Sequence, residues 1–275
     1  MNYKLISFDL DGTFLTDEKT VPPENLEMIK KAAEAGVYIV PNSGRIFPGM
    51  PEELIKAEYI RYYLCGNGAS VYDRQEDRVI AKAEISPELA LRFAEYMDTL
   101  PVVYDCYQDN MGYMTEEMYN ALEDWAATPA MAKYMKRVRR PVPDLKKMLA
   151  EKNHTVMKMQ MHFHDLEERR RQLELIPTLF PELVATSSII NNIEVNSVYA
   201  TKGHALETLC AHLNIDLSEV IAFGDGSNDI SMIKAAGMGV AMENSEKSVL
   251  AAADMVAGNN NESGMAKVIK NLIFF

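Results

Sequence analysis

The chain has 275 residues, of which 48% are hydrophobic and 25% charged, so it can bury a large core and is long enough for two domains. Lys and Arg number 28 against 40 Asp and Glu, and the net charge of -12 argues against nucleic acid or an anionic membrane as a partner. No early segment resembles a signal peptide, no run approaches the ~18 apolar residues of a membrane span, and the cysteines form no CxxC. We therefore expect a soluble, cytoplasmic protein with reduced thiols.

The first elements along the chain alternate between strand and helix. The apolar periodicity predicts, in order, a strand over 4–8, a helix over 24–35, a strand over 37–40, a helix over 51–57 and a strand over 61–64. Gly36 ends the first helix, and the turn-rich CGNGAS follows the last strand. This order is typical of a strand–helix–strand unit in a parallel sheet.

The same alternation resumes in the last third of the chain. The predicted elements there are a helix over 202–213, a strand over 220–223, a helix over 229–236, a strand over 239–242, a helix over 246–252, a strand over 255–257 and a helix from Gly264. Together with the first elements they predict an α/β fold, a doubly wound, Rossmann-like parallel sheet covered by helices on both faces.

The central region has a different pattern and predicts a separate α+β domain inserted into the first. Its predicted elements are helices over 87–99, 143–151 and 166–176 and strands over 102–107, 112–115, 155–163, 183–187 and 193–195. We therefore place a core domain at residues 1–83 and 194–275 and an inserted domain at 84–193. The basic run over 133–140 is interpreted as a solvated helix end, and His162 and His164 as the outer face of a strand.

Two aspartates end the first strand, in the stretch FDLDGT. Side chains two apart on a strand point to the same face, which would place the carboxylates of Asp9 and Asp11 roughly 7 Å apart. At an effective dielectric of about 20 they would repel each other by roughly 2 to 3 kcal/mol. A proton, a cation or full solvation must compensate for that repulsion.

Polar residues also follow the other predicted strands. These are Asn42, Ser43, Gly44 and Arg45 after the second strand, Gly66, Asn67 and Gly68 after the third, and GDGSND, Gly224 to Asp229, after the strand over 220–223. Ligands bind at the carboxyl ends of the strands in an open parallel sheet, so we expect these groups to converge on one edge.

Asp225 could join Asp9 and Asp11 in a cluster of hard oxygens suited to Mg²⁺. Lys202 opens a helix, where a cation opposes the positive helix end, and therefore indicates an anion such as phosphate nearby.

Each motif also has an alternative interpretation when it is taken alone. DxDG could be an acidic turn, CGNGAS a plain turn, GDGSND a helix cap and Lys202 a solvated lysine. A calcium loop requires glycine in sixth place, whereas Gly12 comes fourth in its motif and Ile230 occupies the sixth place in the other. The motifs in combination favour a single phosphoryl-transfer site.

The ordered set DxDGT, SGR, a lone lysine and GDxxND resembles the haloacid dehalogenase superfamily of phosphohydrolases, and the position of the large insertion resembles the C2 cap of its Cof-type branch, class IIB. The resemblance covers the whole chain. It implies that Asp9 is the nucleophile and that Asp11 is the general acid and base. The implied ligands of Mg²⁺ are Asp9, Asp225 and the backbone carbonyl of Asp11. The implied phosphoryl ligands are Ser43 and Lys202, and Asn228 and Asp229 are supporting residues. We add Gly44, Arg45 and Asn67 as candidate substrate-binding residues.

The expected function is Mg²⁺-dependent hydrolysis of small phosphorylated metabolites, such as sugar phosphates, through an aspartyl-phosphate. The acid role of Asp11 requires a pKa near neutrality, which proximity to Asp9 and burial under a closed cap could provide. A cap of this size can close over the site and exclude polymers. The alternatives are a sugar phosphomutase on the same scaffold and a non-enzymatic signalling module that uses a phospho-aspartate. The oligomeric state cannot be predicted.

Overall fold

The structure, a computed structural model, describes residues 3–126, 128–187 and 189–275, and the backbone alone of Ala130. The chain divides into two compact units, a core unit that runs to Lys82 and resumes over Ala200–Phe275, and an inserted unit, Ala83–Tyr199. We expected the inserted domain to end at 193. That position lies inside a strand, Asn192–Ser197, which pairs antiparallel with a strand of the inserted unit on each side, so the boundary falls six residues later.

The secondary structure follows the chain in three blocks. The core unit begins with β1 (Leu5–Phe8), α1 (Pro23–Glu34), β2 (Tyr38–Pro41), α2 (Glu52–Lys56), β3 (Tyr62–Cys65), β4 (Ser70–Asp73) and β5 (Arg78–Lys82). The inserted unit contains α3 (Pro87–Met97), β6 (Val102–Gln108), β7 (Met111–Thr115), α4 (Glu116–Asn120), α5 (Leu122–Trp125), α6 (Pro129–Val138), β8 (Arg139–Val142), α7 (Leu145–Lys152), β9 (Lys158–Phe163), α8 (Leu166–Leu179), β10 (Leu183–Thr186) and β11 (Asn192–Ser197). The core unit ends with α9 (Lys202–Leu213), β12 (Val220–Gly224), α10 (Ile230–Ala235), β13 (Met238–Met242), α11 (Lys247–Leu250), β14 (Met255–Ala257) and α12 (Gly264–Phe274). Short 3₁₀ turns lie at Phe47–Gly49, Gly66–Gly68, Leu217–Glu219, Ser227–Asp229 and Asn260–Glu262.

A parallel sheet in the order β14-β13-β12-β1-β2 forms the centre of the core unit. Every residue of β1 and β12 is buried, which explains why both are mostly apolar and do not alternate between apolar and polar residues. One hydrophobic cluster joins the sheet to α9 and α10; it includes Leu5, Val40, Ala222, Leu206, Leu209 and Met232. The helices α1 and α12 pack against each other, and buried Asn25 of α1 accepts a 3.1 Å hydrogen bond from the amide of Ala266.

The third predicted strand does not continue this sheet as we expected. β3 lies beside β2 through an isolated parallel bridge between Asn42 and Leu64, and it heads an antiparallel sheet in the order β3-β4-β5. The strands β4 and β5 were not predicted. The edge of the parallel sheet therefore carries a small antiparallel extension, in which the CGNGAS turn joins β3 to β4.

The inserted unit is built on a sheet in the order β10-β11-β9-β6-β7-β8, antiparallel except between β7 and β8. One face packs on helices in a hydrophobic cluster that includes Phe93, Tyr104, Leu149, Met159, Met161, Ile176, Ile193 and Val195. The residues between these on the three central strands are polar, and Asp105, Gln160 and Glu194 are direct cross-strand neighbours. The unit thus has an apolar and a polar sheet face, and Asp105, Gln160 and Glu194 of the polar face are buried as well.

Two predictions for the inserted unit are wrong in part. The basic run over 133–140 does contain a helix end with exposed Lys133 and Arg137, but α6 stops at Val138, and Arg139 is buried with its Nε 2.7 Å from the Oδ2 of Asp105. We placed His162 on an exposed face, but its side chain is 1% exposed. Burial, together with the nearby charges of Arg139 and Lys158, lowers the pKa of His162 to about 3. Both side chains lie on the polar face of the sheet, which is buried.

Among the described residues, no helix combines the length and the apolar character that crossing a membrane requires.

Candidate active site

The register of the parallel sheet brings three sequence motifs together. Phe8, the last residue of β1, is paired with Phe223 on one side and Pro41 on the other. The backbone amide of Asp9 donates to the carbonyl of Phe223 at 3.0 Å, and that of Asn42 to the carbonyl of Phe8 at 2.8 Å. The residues that follow β1, β2 and β12 therefore meet at one edge of the sheet.

Lys202, the first residue of α9, joins two of the acidic groups at this edge. Its Nζ lies 2.6 Å from the Oδ1 of Asp9 and 2.5 Å from the Oδ1 of Asp229, and all three side chains are buried. Although burial opposes a charge on Lys202, the carboxylates of Asp229 and Asp9 raise its pKa, so the ammonium group stays protonated. The anions that we expected near this lysine are thus present as carboxylates of the protein.

The negative charge around Asp9 exceeds what the single ammonium group of Lys202 can balance. Burial raises the pKa of Asp9 well above its ordinary range; Lys202 opposes the rise, and the neighbouring carboxylates of Asp229, Asp225 and Asp11 add to it. A carboxylate in this position favours a proton or a cation beside it.

Asp9, Asp225 and Asp229 form a compact oxygen cluster, with one carboxylate oxygen of each within 4.8 Å of the others. Burial and the charge of Asp229 raise the pKa of Asp225 to about 6. The hydroxyl of Thr13 donates to the Oδ1 of Asp225 at 2.6 Å and orients it. Hard carboxylate oxygens that repel one another are a donor set suited to Mg²⁺, so these residues fit the cation that the sequence indicated.

Gly12 lies very close to the carboxylate of Asp225. A Cβ atom at Gly12 would lie 2.3 Å from the Oδ2 of Asp225, and the backbone φ of Gly12 is +95°. Only glycine allows the loop after β1 to approach Asp225 this closely.

The side chain of Asp11 lies outside this cluster. Its two oxygens accept from Arg45, with Nε at 2.9 Å and Nη2 at 2.7 Å, and Lys19 lies 3.0 Å from Oδ1. We expected a raised pKa for Asp11, which is wrong. Desolvation does push the pKa of Asp11 up, but the charge and hydrogen bonds of Arg45, with those of Lys19, outweigh it and hold the pKa at about 2. Asp9 is the neighbour of Asp11 in sequence, whereas the two cations that set its pKa become neighbours only in the folded chain.

The remaining predicted residues line the edge next to the cluster. Ser43 is buried, and its hydroxyl accepts from the amide of Arg45 at 3.3 Å. Asn67 has a left-handed backbone with φ of 60°, and its side-chain oxygen accepts from the Nδ2 of Asn228 at 3.1 Å. Gly44 is half-buried in a bend between Ser43 and Arg45. The motifs that follow the strands therefore meet at this edge. Asn67 and Asn228, which we expected to bind substrate or support the site, are hydrogen-bonded to each other.

The Gly66–Gly68 turn supports the lysine. Gly68 has a φ of +94°, and a Cβ atom there would lie 2.1 Å from the carbonyl oxygen of Thr201. Thr201 caps α9 through its side chain, which accepts from the amide of His204 at 3.1 Å. The turn is thus shaped for close contact with the start of the helix that carries Lys202.

Two further residues of this site had no predicted role: Asn42, which we expected only to lie at this edge, and Thr13. Asn42 donates from Nδ2 to the carbonyl of Lys202 at 3.0 Å, and Thr13 binds Asp225 as described above. Both stand inside quoted motifs, PNSGR and DxDGT, so their position could have drawn attention to them. Their partners are 160 and 212 residues away in sequence, and the sequence does not reveal those contacts.

The comparison with known families decides the identity of the fold. Residues 6–269 match the family of haloacid dehalogenase-like hydrolases. The chain belongs to this family.

Known proteins are similar to the chain over nearly its whole length. It is 29% identical over 273 residues to the 5-amino-6-(5-phospho-D-ribitylamino)uracil phosphatase YcsE of Bacillus subtilis, covering 99% of this chain and 97% of that protein. A haloacid dehalogenase-like hydrolase of Bacteroides thetaiotaomicron superposes with a TM-score of 0.82 at 26% identity, covering 98% and 99% of the two chains. The structure of a subclass IIB sugar phosphatase of the superfamily superposes with a TM-score of 0.79 at 24% identity, covering 98% of each chain, and shows the same fold.

These similarities confirm three predictions. The resemblance to the haloacid dehalogenase superfamily is correct, and so is the α/β fold with a parallel core sheet and an inserted α+β unit. The chain is an enzyme, a haloacid dehalogenase-like hydrolase, and the similar YcsE is named a phosphatase. The roles of individual residues, the cation and the substrate are matters of proposal.

Proposed function

We propose that the protein is a Mg²⁺-dependent phosphatase that hydrolyses small phosphorylated metabolites through an aspartyl-phosphate on Asp9. The observation that carries the proposal is the buried arrangement in which Lys202 bridges Asp9 and Asp229 while Asp225 completes the oxygen cluster. One ammonium group beside three carboxylates provides a nucleophile, a phosphoryl-binding cation and ligands for a metal in the same place.

The chemistry is divided into two displacements. A phosphate monoester hydrolyses so slowly in water that catalysis requires ~20 kcal/mol or more of barrier lowering. In the first displacement a carboxylate oxygen of Asp9 bonds to phosphorus while the bond to the ester oxygen breaks, and the leaving oxygen takes a proton from Asp11. In the second, water loses a proton to Asp11, bonds to phosphorus and releases the Asp9 carboxylate and inorganic phosphate.

Lys202 has two functions in this scheme. In the resting site its Nζ neutralises part of the charge on Asp9, and when a substrate binds it can donate to a phosphoryl oxygen as well. Because Asp229 holds the same ammonium group from the other side, the lysine keeps a fixed position whether or not substrate is bound. The hydroxyl of Ser43 is the second proposed phosphoryl ligand.

The proposed ligands of Mg²⁺ are the carboxylates of Asp9 and Asp225 and the backbone carbonyl of Asp11. Bound there, the cation would supply positive charge that keeps Asp9 ionised and offsets the charge of the phosphoryl group. Asp229 supports the arrangement, since its Oδ2 accepts from the amides of Asp225 and Gly226, both at 2.9 Å, and so shapes the loop that presents Asp225.

Arg45 controls the protonation of Asp11. In the resting site the guanidinium group keeps Asp11 ionised, as the base in the second displacement must be. To act first as an acid, Asp11 must gain a proton, which becomes easier when Arg45 turns to the incoming phosphate and releases one of its two hydrogen bonds. We therefore propose that Arg45 is a substrate-binding residue whose movement raises the pKa of Asp11.

The proposed substrates are small phosphate monoesters of polar alcohols, such as sugar phosphates. This proposal is supported by the similarity to YcsE, whose name describes a substrate with a phosphate on a ribityl chain. The net charge of -12 also disfavours polyanions such as nucleic acids.

The decisive experiment is a screen of phosphorylated metabolites that measures released inorganic phosphate with Mg²⁺ and with EDTA. We expect release with Mg²⁺, none with EDTA, and none from the Asp9→Asn variant, which loses the nucleophile at nearly constant volume. More than a few per cent residual turnover in that variant would contradict the role of Asp9, and full activity in EDTA would contradict the metal.

The same screen separates the two alternatives. A phosphomutase would return the phosphoryl group to a sugar, so ³¹P spectra would show an isomeric ester instead of inorganic phosphate. A signalling module would keep its phospho-aspartate for minutes to hours, whereas an enzyme turns it over rapidly.

A further inference from the structure

Two asparagines at the ends of the last two strands of the parallel sheet contact the loop after β1. Asn244 lies two residues after β13, and Asn260 lies three residues after β14. The Nδ2 of Asn244 donates to the backbone carbonyl of Gly12 at 2.7 Å, and its Oδ1 accepts from the backbone amide of Asn260 at 3.1 Å. The Nδ2 of Asn260 donates to the carbonyl of Leu15 at 2.9 Å. The loop after β1 is thus held at two carbonyls.

The segment that contains Asn244 also contacts the loop that presents Asp225. The backbone amide of Glu246 donates to the carbonyl of Asp225 at 3.1 Å. The hydroxyl of Ser245 donates to the carbonyl of Gly224 at 3.3 Å. Three consecutive residues, 244 to 246, therefore connect the loop of Asp9 and Asp11 to the loop of Asp225.

The hydrogen bond from Asn244 holds the backbone next to Asp11, whose carbonyl is a proposed ligand of Mg²⁺. Gly12 follows Asp11 directly, so a fixed carbonyl at Gly12 restricts the peptide that carries the carbonyl of Asp11. Gly12 also lies so close to Asp225 that a Cβ atom would be 2.3 Å from the Oδ2 of that residue. A small displacement of the Gly12 carbonyl would change the spacing between the oxygen donors on the two loops.

We propose that Asn244 is a positioning residue that sets the spacing between the Asp9–Asp11 loop and Asp225, and thereby the affinity of the site for its divalent cation. The inference rests on the Mg²⁺ site of the proposed function. Residues that orient metal ligands without touching the metal typically contribute 10- to 100-fold to metal affinity. Asn244 binds a backbone carbonyl through an exposed amide, and we expect an effect near the lower end of that range.

The test compares Asn244→Ala with Asn261→Ala. Both residues are exposed asparagines of the core unit, and both substitutions leave the net charge unchanged. Asn261 binds the side chain of Asp17, with its Nδ2 3.0 Å from Oδ2, and does not contact Gly12 in the structure, so it is a matched control. Because Asn244 is exposed, its replacement should leave a folded protein, which circular dichroism checks.

The first measurement is the dissociation constant for Mg²⁺ by titration calorimetry. We expect it to rise about tenfold in Asn244→Ala and to stay within twofold of the wild type in Asn261→Ala. Phosphatase activity of Asn244→Ala should return to within twofold of the wild type at saturating Mg²⁺, which a general loss of structure would not allow. A dissociation constant unchanged in Asn244→Ala would overturn the proposal.

A second measurement separates this inference from the proposed function. If the wild type bound no Mg²⁺, the proposed cofactor would fail, but the positioning role would still be tested by amide hydrogen exchange in EDTA. We expect the amides of Phe14 and Leu15, which donate to carbonyls of Asp9 and Leu10 within the loop, to exchange at least threefold faster in Asn244→Ala than in Asn261→Ala. Equal exchange in the two variants would show that Asn244 does not hold the loop.

Discussion

Arg45 binds Asp11 through two parallel hydrogen bonds, one at 2.9 Å from Nε and one at 2.7 Å from Nη2. This geometry favours the ionised carboxylate. It explains why the second aspartate of the motif has a pKa of about 2, whereas burial raises the pKa of its neighbour Asp9. Two carboxylates separated by one residue are thus driven in opposite directions by their surroundings.

Replacement of Arg45 should therefore change the protonation of Asp11. In metal-free Arg45→Met we expect the pKa of Asp11 to rise by at least one unit, toward or above the ordinary value of about 3.9, because burial remains and the largest compensating charge is lost. The titration of the carboxyl carbon of Asp11 by ¹³C NMR measures this shift. Arg61→Met is the control, since Arg61 also binds a carboxylate through Nε and Nη2, at 3.0 Å and 2.6 Å from the Oδ2 of Asp73, and this substitution should leave the pKa of Asp11 unchanged. An unshifted pKa in Arg45→Met would show that Arg45 does not control the acid.

The acid role of Asp11 predicts a dependence on the leaving group. Asp11→Asn should lower kcat/KM for alkyl phosphates far more than for aryl phosphates, because an alkoxide needs a proton to leave and a nitrophenolate does not. We expect a difference of about 100-fold between the two substrate types, within the range usual for general acid catalysis. Equal losses on p-nitrophenyl phosphate and a sugar phosphate would remove Asp11 from this role.

The raised pKa of Asp225 predicts that metal-free protein loses stability as the pH rises. The pKa of Asp225 is about 6 in the folded state, above its ordinary value, so its contribution is fully present below about pH 4 and is lost as the pH passes through 6. In EDTA, the Tm of Asp225→Asn minus that of the wild type should therefore increase by several degrees between pH 4.5 and 7.5. A difference that stays constant or decreases over this range would contradict the raised pKa. Added Mg²⁺ should raise the wild-type Tm more at pH 7.5 than at pH 5, since the cation competes with the proton.

The contact between Gly68 and Thr201 predicts a severe effect of a single methyl group. Gly68→Ala should destabilise the protein by about 3 kcal/mol or more, because the strained backbone is combined with a clash that neither main chain can avoid. Gly36→Ala is the control for strain alone, since Gly36 has a φ of +89° but an added Cβ there would meet no described atom within 4 Å. We expect Gly36→Ala to lower the free energy of unfolding by about 1 kcal/mol. Urea unfolding measures both, and equal losses would mean that the close approach to Thr201 contributes nothing.

The sequence predicted the alternating elements well because their signals are local. The predicted helix over 202–213 agrees residue for residue with α9, and the predicted strand over 255–257 agrees with β14. The positions of Asp9, Ser43 and Asp225 at strand ends followed from the rule that parallel strands share a carboxyl edge. The helix and strand boundaries depend on residues that are close together in sequence.

The errors concern side chains whose partners are distant in sequence. Arg139 was expected in solvent because its neighbours in sequence are basic, whereas its partner Asp105 lies 34 residues earlier. Asp11 was expected to have a pKa near neutrality because Arg45, also 34 residues away, was not counted among its neighbours. Burial of a charge depends on such a partner, and the partner is visible only in the folded chain.

The contact between Gly68 and Thr201 also has an evolutionary consequence. The chain returns from the inserted unit at Ala200, two residues before Lys202. Because Gly68, a residue of the core unit itself, lies against the Thr201 carbonyl, we expect the core to determine the position of the lysine more than the chain that precedes it does. An insertion of different length or sequence at this point, introduced by evolution or by design, should therefore leave the lysine in place.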